Sequence, residues 1–575
     1  MLRLPKKMTV CLPDNAEDAV RYAAGELCRW LSEAGVQASE DAEPGTLPVR
    51  LISGVPGLPS GAFRRTVTRE GVTLEASEPC GIVYGVYDLL EDLGYRFLAP
   101  DCTTVPTGAP RLALGTAERT PAFRARELFW REAMDGAFAV RLRLNSARSD
   151  ITPAQGGKLR FYNFSHSFDT LVPAAQWFDS HPEYFSMRDG VRVREKTQLC
   201  LSNPEVLALC VAGVRRWIRE NPDCRVFSVS MNDWYNPCEC PACRAVDEAE
   251  GSQAGSVIRF VNAIADAVAR EYPDVMLHTF AYLYCRRPPR HVRPRKNVIV
   301  RLCSIECCFS HPLGSCRAER DGIDVQNGNA LSFADAPRKK TGTFVEDLQA
   351  WSKICDNLFV WDYTTNYANY LLPFPNLGVL QSNLQLFRDD GVKGVLEQGN
   401  FSRGRCSALG QLKIYLLGKL LWDPDQDTER LIDDFVSGYY GAAAGPMRRY
   451  VRLWQNAAGS CHAGIYDMPD ADYLTDTCLA EAASCLREAV RLAEGTPAQE
   501  RVEREALSVR YAELTREAPT APGHGGKAEN FMRDAARLGV TELFERKDFA
   551  ASAEVLRTQQ YAKDRGCVPG ISYPI

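Results

Sequence analysis

The sequence has 575 residues, of which 45% are hydrophobic and 25% are charged, and its formal net charge is -5 with an isoelectric point near 6.0. This length predicts several domains, and this composition is typical of a globular protein with a large core. The acidic balance argues against nucleic acid or an anionic membrane as a partner, since both require clustered Lys and Arg.

The first apolar stretch is interrupted by Pro5, Lys6 and Lys7, and no later stretch is long and apolar enough for a membrane span. The 21 cysteines are scattered, odd in number and often inside apolar runs, which is typical of reduced, buried thiols rather than of a disulfide framework. We therefore expect a cytoplasmic protein, and leave open a secretion signal lost by truncation.

Residues 1–115 have the pattern of a small α/β domain. A strand-like run, Met8–Leu12, precedes a helix that carries Ala23, Leu27 and Trp30 on one face. A second helix is predicted at Gly81–Glu91. Alternating strands and helices of this length indicate an α/β layer.

Residues 116–405 repeat a strand-then-helix pattern, which is typical of a parallel sheet or barrel. Because the segment has about eight strand signals, we predict a (β/α)8 barrel, with a doubly wound open sheet as the alternative. The predicted strands lie near Ala125–Trp130, Arg141–Asn145, Leu159–Ser165, Arg225–Ser230, Met276–Tyr282, Val298–Cys303, Leu358–Trp361 and Gly394–Glu397.

Residues 406–575 lose the strand signals and show apolar residues at helical spacing. We predict a C-terminal helical domain against the barrel, with helices near Leu412–Leu421, Asp427–Tyr439, Ala443–Ala457, Leu479–Ala493 and Glu500–Glu517.

Three carboxylates follow predicted barrel strands: Asp233, Asp362 and Glu397. Active sites of such barrels lie at the carboxyl ends of the strands. Cleavage of a glycosidic bond uses two carboxyl groups, about 5–5.5 Å apart for retention and about 6.5–9.5 Å apart for inversion. These residues therefore predict a glycoside hydrolase; capping of helices or pairing with buried Arg is the structural alternative for each.

We expect Asp233 to donate the proton, because Met231 and Trp234 beside it predict an apolar setting that keeps an acid protonated. Glu397 stands among polar neighbours and is expected, alone or with Asp362, to activate water as a base or to attack directly as a nucleophile, which leaves both retention and inversion open. Aromatic and polar residues at the strand ends are the candidate sugar contacts: Trp130, Arg131, His166, Asn232, Trp234, Tyr282, Trp361 and Tyr363.

A C-x-C-x-x-C motif, Cys238, Cys240 and Cys243, follows Asp233 closely. Three thiolates at this spacing can bind zinc, and Cys200 is the candidate fourth ligand. Reduced thiols or a local disulfide are the alternatives. The motif contains no histidine, so a structural zinc is expected rather than a catalytic one, and no cofactor is expected for catalysis.

Several stretches resemble a bacterial family catalogued as domain of unknown function 4838. That family is similar to the α-glucuronidases of glycoside hydrolase family 67 and, more distantly, to the hexosaminidases of family 20. The resemblance rests on Gly81–Glu91, Asn232–Asp233 with the cysteine motif, Pro288–Pro289, Trp361–Tyr363 and Leu421–Pro424.

The resemblance implies an N-terminal α/β domain ahead of a barrel, with Asp233 as acid, Asp362 and Glu397 as base candidates, and inversion as in α-glucuronidases. The expected partner is an oligosaccharide or glycoconjugate, and a homodimer is left open. Two alternatives remain: a non-catalytic carbohydrate-binding barrel, and a zinc-dependent enzyme centred on the cysteine motif.

Overall fold

The computed structural model describes the chain except for residues 42–44, 109–110, 402–404, 406–407, 546 and 560–575. Between residues 321 and 341 it describes only three short strands, Ile323–Asp324, Asn329–Ala330 and Phe333–Ala334.

The N-terminal unit is a mixed sheet with two helices, Asp18–Glu33 and Pro79–Asp92, as its pattern predicts. Gly81 explains why the second helix lies so close to the sheet, since a Cβ there would come within 2.5 Å of the Ala62 carbonyl oxygen. The sheet strands are β1 (Lys7–Cys11), β2 (Gln37–Ser39), β3 (Leu47–Ile52), β4 (Phe63–Val67), β5 (Val72–Ala76) and β6 (Gly115–Arg119). Their spatial order is β6-β4-β5-β3-β1-β2.

Seven parallel strands then form the curled barrel sheet. They are β7 (Ala125–Phe129), β8 (Phe161–Tyr162), β9 (Val226–Ser228), β10 (Met276–Ala281), β11 (Val298–Cys303), β12 (Leu358–Tyr363) and β13 (Gly394–Gln398). The order β7-β13-β12-β11-β10-β9-β8 is that of a (β/α)8 barrel whose second strand position lies between β7 and β8.

The strand predicted at Arg141–Asn145 is corrected by the structure. A helix covers Gly136–Arg141, because Asp135 caps its start by accepting a hydrogen bond from the Phe138 amide at 2.7 Å. Asn145 nevertheless connects the two edges of the sheet through its backbone. Its backbone N–H donates to the Arg126 carbonyl of β7, and its backbone carbonyl accepts from the Leu159 N–H just before β8. An irregular segment thus replaces the second strand.

Helices lie between the barrel strands as the apolar spacing predicts. The long ones are Pro204–Glu220, Pro241–Glu250, Ala254–Ala269, Phe344–Ser352 and Leu380–Asp389. Shorter elements in this part of the chain include the helices Phe168–Leu171 and Ala174–Trp177, and the strands Met187–Arg188, Val191–Arg192 and Glu319–Arg320.

The C-terminal region is helical, as predicted. Between its third and fourth helices, residues 457–475 return to the barrel, where Phe309 donates to the Ala463 carbonyl and Tyr367 donates to the Ile465 carbonyl. Within the described residues, no helix combines the length and the apolar character that crossing a bilayer requires. The helices are Gly410–Trp422, Thr428–Tyr440, Ala444–Asn456, Asp476–Ala493, Gln499–Arg516, His524–Arg537 and Phe549–Thr558.

Candidate active site at the barrel mouth

Asp233 lies at the carboxyl end of the barrel, five residues after β9 ends at Ser228. Its Oδ1 accepts a hydrogen bond from the Tyr282 hydroxyl at 3.2 Å and lies 3.8 Å from Nε2 of His166. The Asp233 side chain is 28% exposed. A carboxylate that is open to solvent and held by two polar side chains can exchange a proton with a bound molecule.

The turn that carries Asp233 is fixed by Asn232. The Asn232 side chain accepts from the Asp169 amide and donates to the Thr197 carbonyl, each at 2.9 Å. Its backbone amide donates to the side chain of Gln198. Asn232 is buried, and both the oxygen and the nitrogen of its side-chain amide are hydrogen-bonded to the protein backbone. Asn232 is therefore not the sugar contact that the sequence predicts. Instead, its hydrogen bonds to the protein fix the turn that positions Asp233.

His166 presents one ring nitrogen to Asp233. Its Nδ1 lies 2.9 Å from the Met231 carbonyl oxygen, and because a carbonyl only accepts, Nδ1 must carry the hydrogen. Nε2 therefore faces Asp233.

Aromatic side chains line the barrel interior around this carboxylate. Burial, and to a smaller extent Asp233, raises the pKa of Tyr282 well above its ordinary value, so its hydroxyl remains a donor at neutral pH. Trp361 packs against Phe164 and Phe280 with ring centroids 5.6 and 5.7 Å apart. Tyr363, also predicted, faces the same interior. Such rings provide apolar faces on which a sugar can stack.

Asp362 and Glu397 are not brought together with Asp233. Neighbouring side chains of a strand point to opposite faces, and Trp361 faces the barrel interior, so Asp362 points outward. Glu397 is paired with Asp362 in the sheet register and shares that orientation. Gln398 faces inward, where its Oε1 accepts from the Trp361 indole at 2.7 Å. The prediction of one cleft holding all three carboxylates is therefore corrected.

The two outward carboxyl groups are deeply buried, at 3% exposure for Asp362 and 1% for Glu397. Burial, and then the neighbouring Asp362, raises the pKa of Glu397 well above its ordinary value. Burial also raises the pKa of Asp362, although a hydrogen bond from Ser304 opposes this. The expectation of an ionised Glu397 is reversed, since this environment favours its protonated form.

Trp130 and Arg131 also lie elsewhere. Trp130 is fully buried outside the barrel sheet, and its indole donates to the Thr364 hydroxyl at 3.1 Å. Arg131 lines a separate charged cavity of about 570 Å³ with Glu132 and Arg405. The predicted sugar contacts are corrected at both positions, because neither side chain faces the barrel interior beside Asp233.

Trp234 is half-buried next to Asp233, and the Lys196 ammonium lies 5.8 Å from its ring centroid. The site also includes residues that the sequence pattern did not single out. Gln398 could have been found from strand alternation, whereas Tyr466 could not, because it reaches the site from residues 457–475. Tyr466 contributes to the raised pKa of both Tyr282 and Tyr363, after burial and nearer neighbours.

The motif cysteines and Cys200 form one cluster, which we call the four-cysteine cluster. Their four sulfur atoms all lie within 4.8 Å of one another, and all four residues are buried. The sulfur atoms of Cys200 and Cys240 are 3.7 Å apart. A tetrahedral zinc site with zinc–sulfur bonds of about 2.3 Å would separate its sulfur atoms by about 3.8 Å. The cluster therefore has the donors and the spacing of a structural zinc site.

The model of a family described as Domain of unknown function (DUF4838) matches residues 97–452, which confirms the predicted resemblance. No curated protein matches the chain. A solved structure described as a novel family GH115 4-O-methyl-alpha-glucuronidase, BtGH115A, with specificity for decorated arabinogalactans, is similar over 93% of this chain and 76% of that chain, with 11% identity and a TM-score of 0.55. This likeness supports the barrel fold.

Two further structures are similar at lower scores. The GH20 beta-N-acetylhexosaminidase from Streptomyces coelicolor A3(2) aligns over 76% of this chain and 91% of that chain, with 13% identity and a TM-score of 0.42. A GH138 enzyme targeting pectin rhamnogalacturonan II aligns over 96% of this chain and 98% of that chain, with 10% identity and a TM-score of 0.42.

Proposed function

We propose that this chain, which belongs to the DUF4838 family, is a glycoside hydrolase whose reacting centre lies around Asp233. The observation that carries this proposal is the group of Asp233, Tyr282 and His166 at the barrel mouth, next to interior aromatic rings. Carboxyl groups at strand ends perform glycosidic bond cleavage, and aromatic faces bind sugars.

Asp233 is the proposed proton donor to the leaving oxygen. As the bond between the anomeric carbon and this oxygen breaks, the proton of Asp233 passes to the oxygen and a water molecule forms the new bond to the carbon. The proton that this water loses leaves to solvent, from which the Asp233 carboxylate is reprotonated. Tyr282 orients the carboxyl group through its hydroxyl, and His166 stabilises the carboxylate that remains. The proposed reaction uses no metal or organic cofactor.

A uronic acid or another anionic sugar is the proposed substrate class, within an oligosaccharide or glycoconjugate. The guanidinium of Arg148 lies 5.3 Å from the ring centroid of Phe129 and 5.7 Å from that of Phe164, on the interior side of the barrel. A cation there suits a sugar carboxylate, with which Arg can form paired hydrogen bonds. The glucuronidase described above shares the fold only, and inversion as in α-glucuronidases is part of the proposal.

A carbohydrate-binding barrel without hydrolysis is the second candidate. The observation that favours it is the outward orientation of Asp362 and Glu397, which removes both from the group around Asp233. Another interior carboxylate, Glu127, is fully buried and bound to Arg301 at 2.8 Å. Sugar binding on the aromatic rings requires no second carboxyl group.

The four-cysteine cluster is a proposed structural zinc site. Cys238 follows Asp233 by five residues, so a metal bound to Cys238 would fix one end of the segment 233–238 and thereby restrict the position of Asp233 at its other end. Four thiolates leave no open coordination position, which is typical of a structural rather than a catalytic zinc.

The test is a screen of aryl glycosides, with α- and β-glucuronides and galacturonides beside their neutral counterparts. The proposal expects release of the aryl alcohol from at least one uronide by the wild-type protein, and expects Asp233→Ala to lose most activity on aryl glycosides with poor leaving groups and less on nitrophenyl glycosides. Binding of the corresponding oligosaccharides by calorimetry, without release of product, would instead support the non-catalytic candidate.

A further inference from the structure

Two cysteines and two histidines meet beside the barrel, away from the four-cysteine cluster. Cys308, His311 and Cys316 lie on the segment after β11, and His462 comes from residues 457–475. One ligand atom from each of these residues lies within 4.8 Å of the other three. We call this group the Cys2His2 cluster.

The distances in the Cys2His2 cluster match a tetrahedral zinc site. With zinc–sulfur bonds of about 2.3 Å and zinc–nitrogen bonds of about 2.0 Å, sulfur and nitrogen ligands of one zinc are about 3.5 Å apart. The Cys308 sulfur lies 3.3 Å from Nδ1 of His311 and 3.3 Å from Nδ1 of His462. The Cys316 sulfur lies 3.8 Å from Nδ1 of His462.

His311 is oriented as metal-bound histidines are. Its Nε2 lies 3.0 Å from the Gly459 carbonyl oxygen, which can only accept, so the hydrogen is on Nε2. Nδ1 then carries the lone pair, and it is Nδ1 that faces Cys308. A histidine ligand of zinc typically donates its other ring N–H to a backbone carbonyl in this manner.

We propose that the Cys2His2 cluster binds one zinc ion. Cys308 is 1% exposed and the other three residues are half-buried, so the metal would be shielded by protein. Four protein ligands close the coordination sphere, which assigns the metal a structural role. This site is separate from the four-cysteine cluster, and its assignment does not rest on the proposed hydrolase activity.

The zinc would fasten residues 457–475 to the barrel. The two segments are already joined next to the cluster, where the Ser310 hydroxyl donates to the Cys461 carbonyl at 2.8 Å and accepts from the Ala463 amide at 3.0 Å. Tyr466, which reaches the interior aromatic group, follows His462 by four residues. Loss of the metal would therefore loosen the segment that carries Tyr466.

The experiment measures zinc per chain by elemental analysis in the full-length protein, purified under reducing conditions and dialysed against zinc alone. The wild type is expected to hold two zinc ions per chain, one in each cluster. His462→Ala and Cys316→Ala are expected to lose one, and Cys243→Ser to lose the other. Cys461→Ser is the matched control, because this thiol neighbours His462 but is not a ligand, and it is expected to retain both.

His462→Cys keeps the test decisive if the alanine variants do not fold. A third thiolate is a zinc ligand, so this variant is expected to hold two metals and, with cobalt instead of zinc, to absorb more strongly in the thiolate charge-transfer region. Unchanged metal content in His462→Ala or Cys316→Ala would overturn the proposal. So would unchanged cobalt absorption in His462→Cys, because the position would then not be a ligand.

Discussion

Asp362 and Glu397 lie opposite each other on neighbouring parallel strands, and both carboxyl groups point into the buried layer outside the barrel sheet. Among the residues that the structure describes, the Oε2 atom of Glu397 has no hydrogen-bond partner, and it is buried. A buried carboxyl next to a second one resists ionisation. The pair therefore affects stability in a way that depends on pH.

Glu397→Gln is expected to gain stability relative to the wild type as the pH rises from 5 to 8. The folded-state pKa of Glu397 is raised, so its favourable contribution is fully present below the unfolded pKa and is lost as the pH rises toward the folded pKa. Each unit of raised pKa corresponds to about 1.4 kcal/mol, and the relative gain should reach at least this value. Urea denaturation at several pH values measures it.

The exposed Glu481→Gln serves as the control, since its carboxyl group is solvated in the folded and unfolded chain. A wild-type to Glu397→Gln difference that is constant with pH would contradict the raised pKa. Loss of activity in Glu397→Gln with unchanged folding would return this residue to the catalytic group.

Glu127→Ala is expected to destabilise the barrel strongly. Glu127 and Arg301 form an ion pair with both side chains at 0% exposure, and removal of the carboxylate leaves a buried charge without compensation. Such a change costs about 3–5 kcal/mol of unfolding free energy. Asp266→Ala, which breaks an exposed ion pair with Arg295, is the control and should cost less than about 1 kcal/mol. Equal effects on urea denaturation would contradict the assignment.

Much of the fold follows from the sequence, because barrel strands such as Val298–Cys303 are mainly apolar runs between turn residues, with Arg301 as the one charged residue of that strand. The missing second strand was not predictable from its apolar character, since Asp135 caps a helix there and Arg143 has a φ of +59° that a strand does not allow. Both effects are local but outweigh hydrophobic periodicity.

The site was only partly predictable. Trp361 and Asp362 are adjacent in a strand, so strand alternation alone excludes that both face the interior. The sequence therefore contained the information that separates Asp362 from Asp233. Tyr466 and His462 are different, because their positions depend on the path of a segment without helix or strand, which no periodic pattern encodes.

Chelation is expected to destabilise the protein through the four-cysteine cluster. Removal of a structural zinc withdraws binding energy that contributes to folding, so a strong chelator should lower the melting temperature of the wild type. Cys243→Ser, which removes only the zinc of the four-cysteine cluster, should lower it by part of this amount and leave a smaller further effect for the chelator. Cys210→Ser, a buried thiol outside both clusters, is the control that retains the full chelator effect. If the chelator left the melting temperature of the wild type unchanged, the four-cysteine cluster would be a group of reduced thiols without a metal.

Tyr282→Phe is expected to lower kcat/KM by about ten-fold on a substrate found in the screen. The change removes only the hydroxyl that donates to Asp233, and a hydrogen bond to a charged group contributes about 1.5–3 kcal/mol. Steady-state kinetics measure the effect. Tyr272→Phe, which lies before the start of β10 at the other end of the barrel, is the control. Wild-type kinetics in Tyr282→Phe would contradict a positioning role.

The dependence of kcat/KM on the leaving group, compared between wild type and Asp233→Asn, tests the central claim most directly. A general acid matters most for a poor leaving group, and its loss costs about 10²–10⁴-fold. Asp233→Asn should therefore lose at least about 10²-fold on natural glycans or alkyl glycosides and much less on nitrophenyl glycosides. Wild-type activity of Asp233→Asn on a natural glycan would contradict the account.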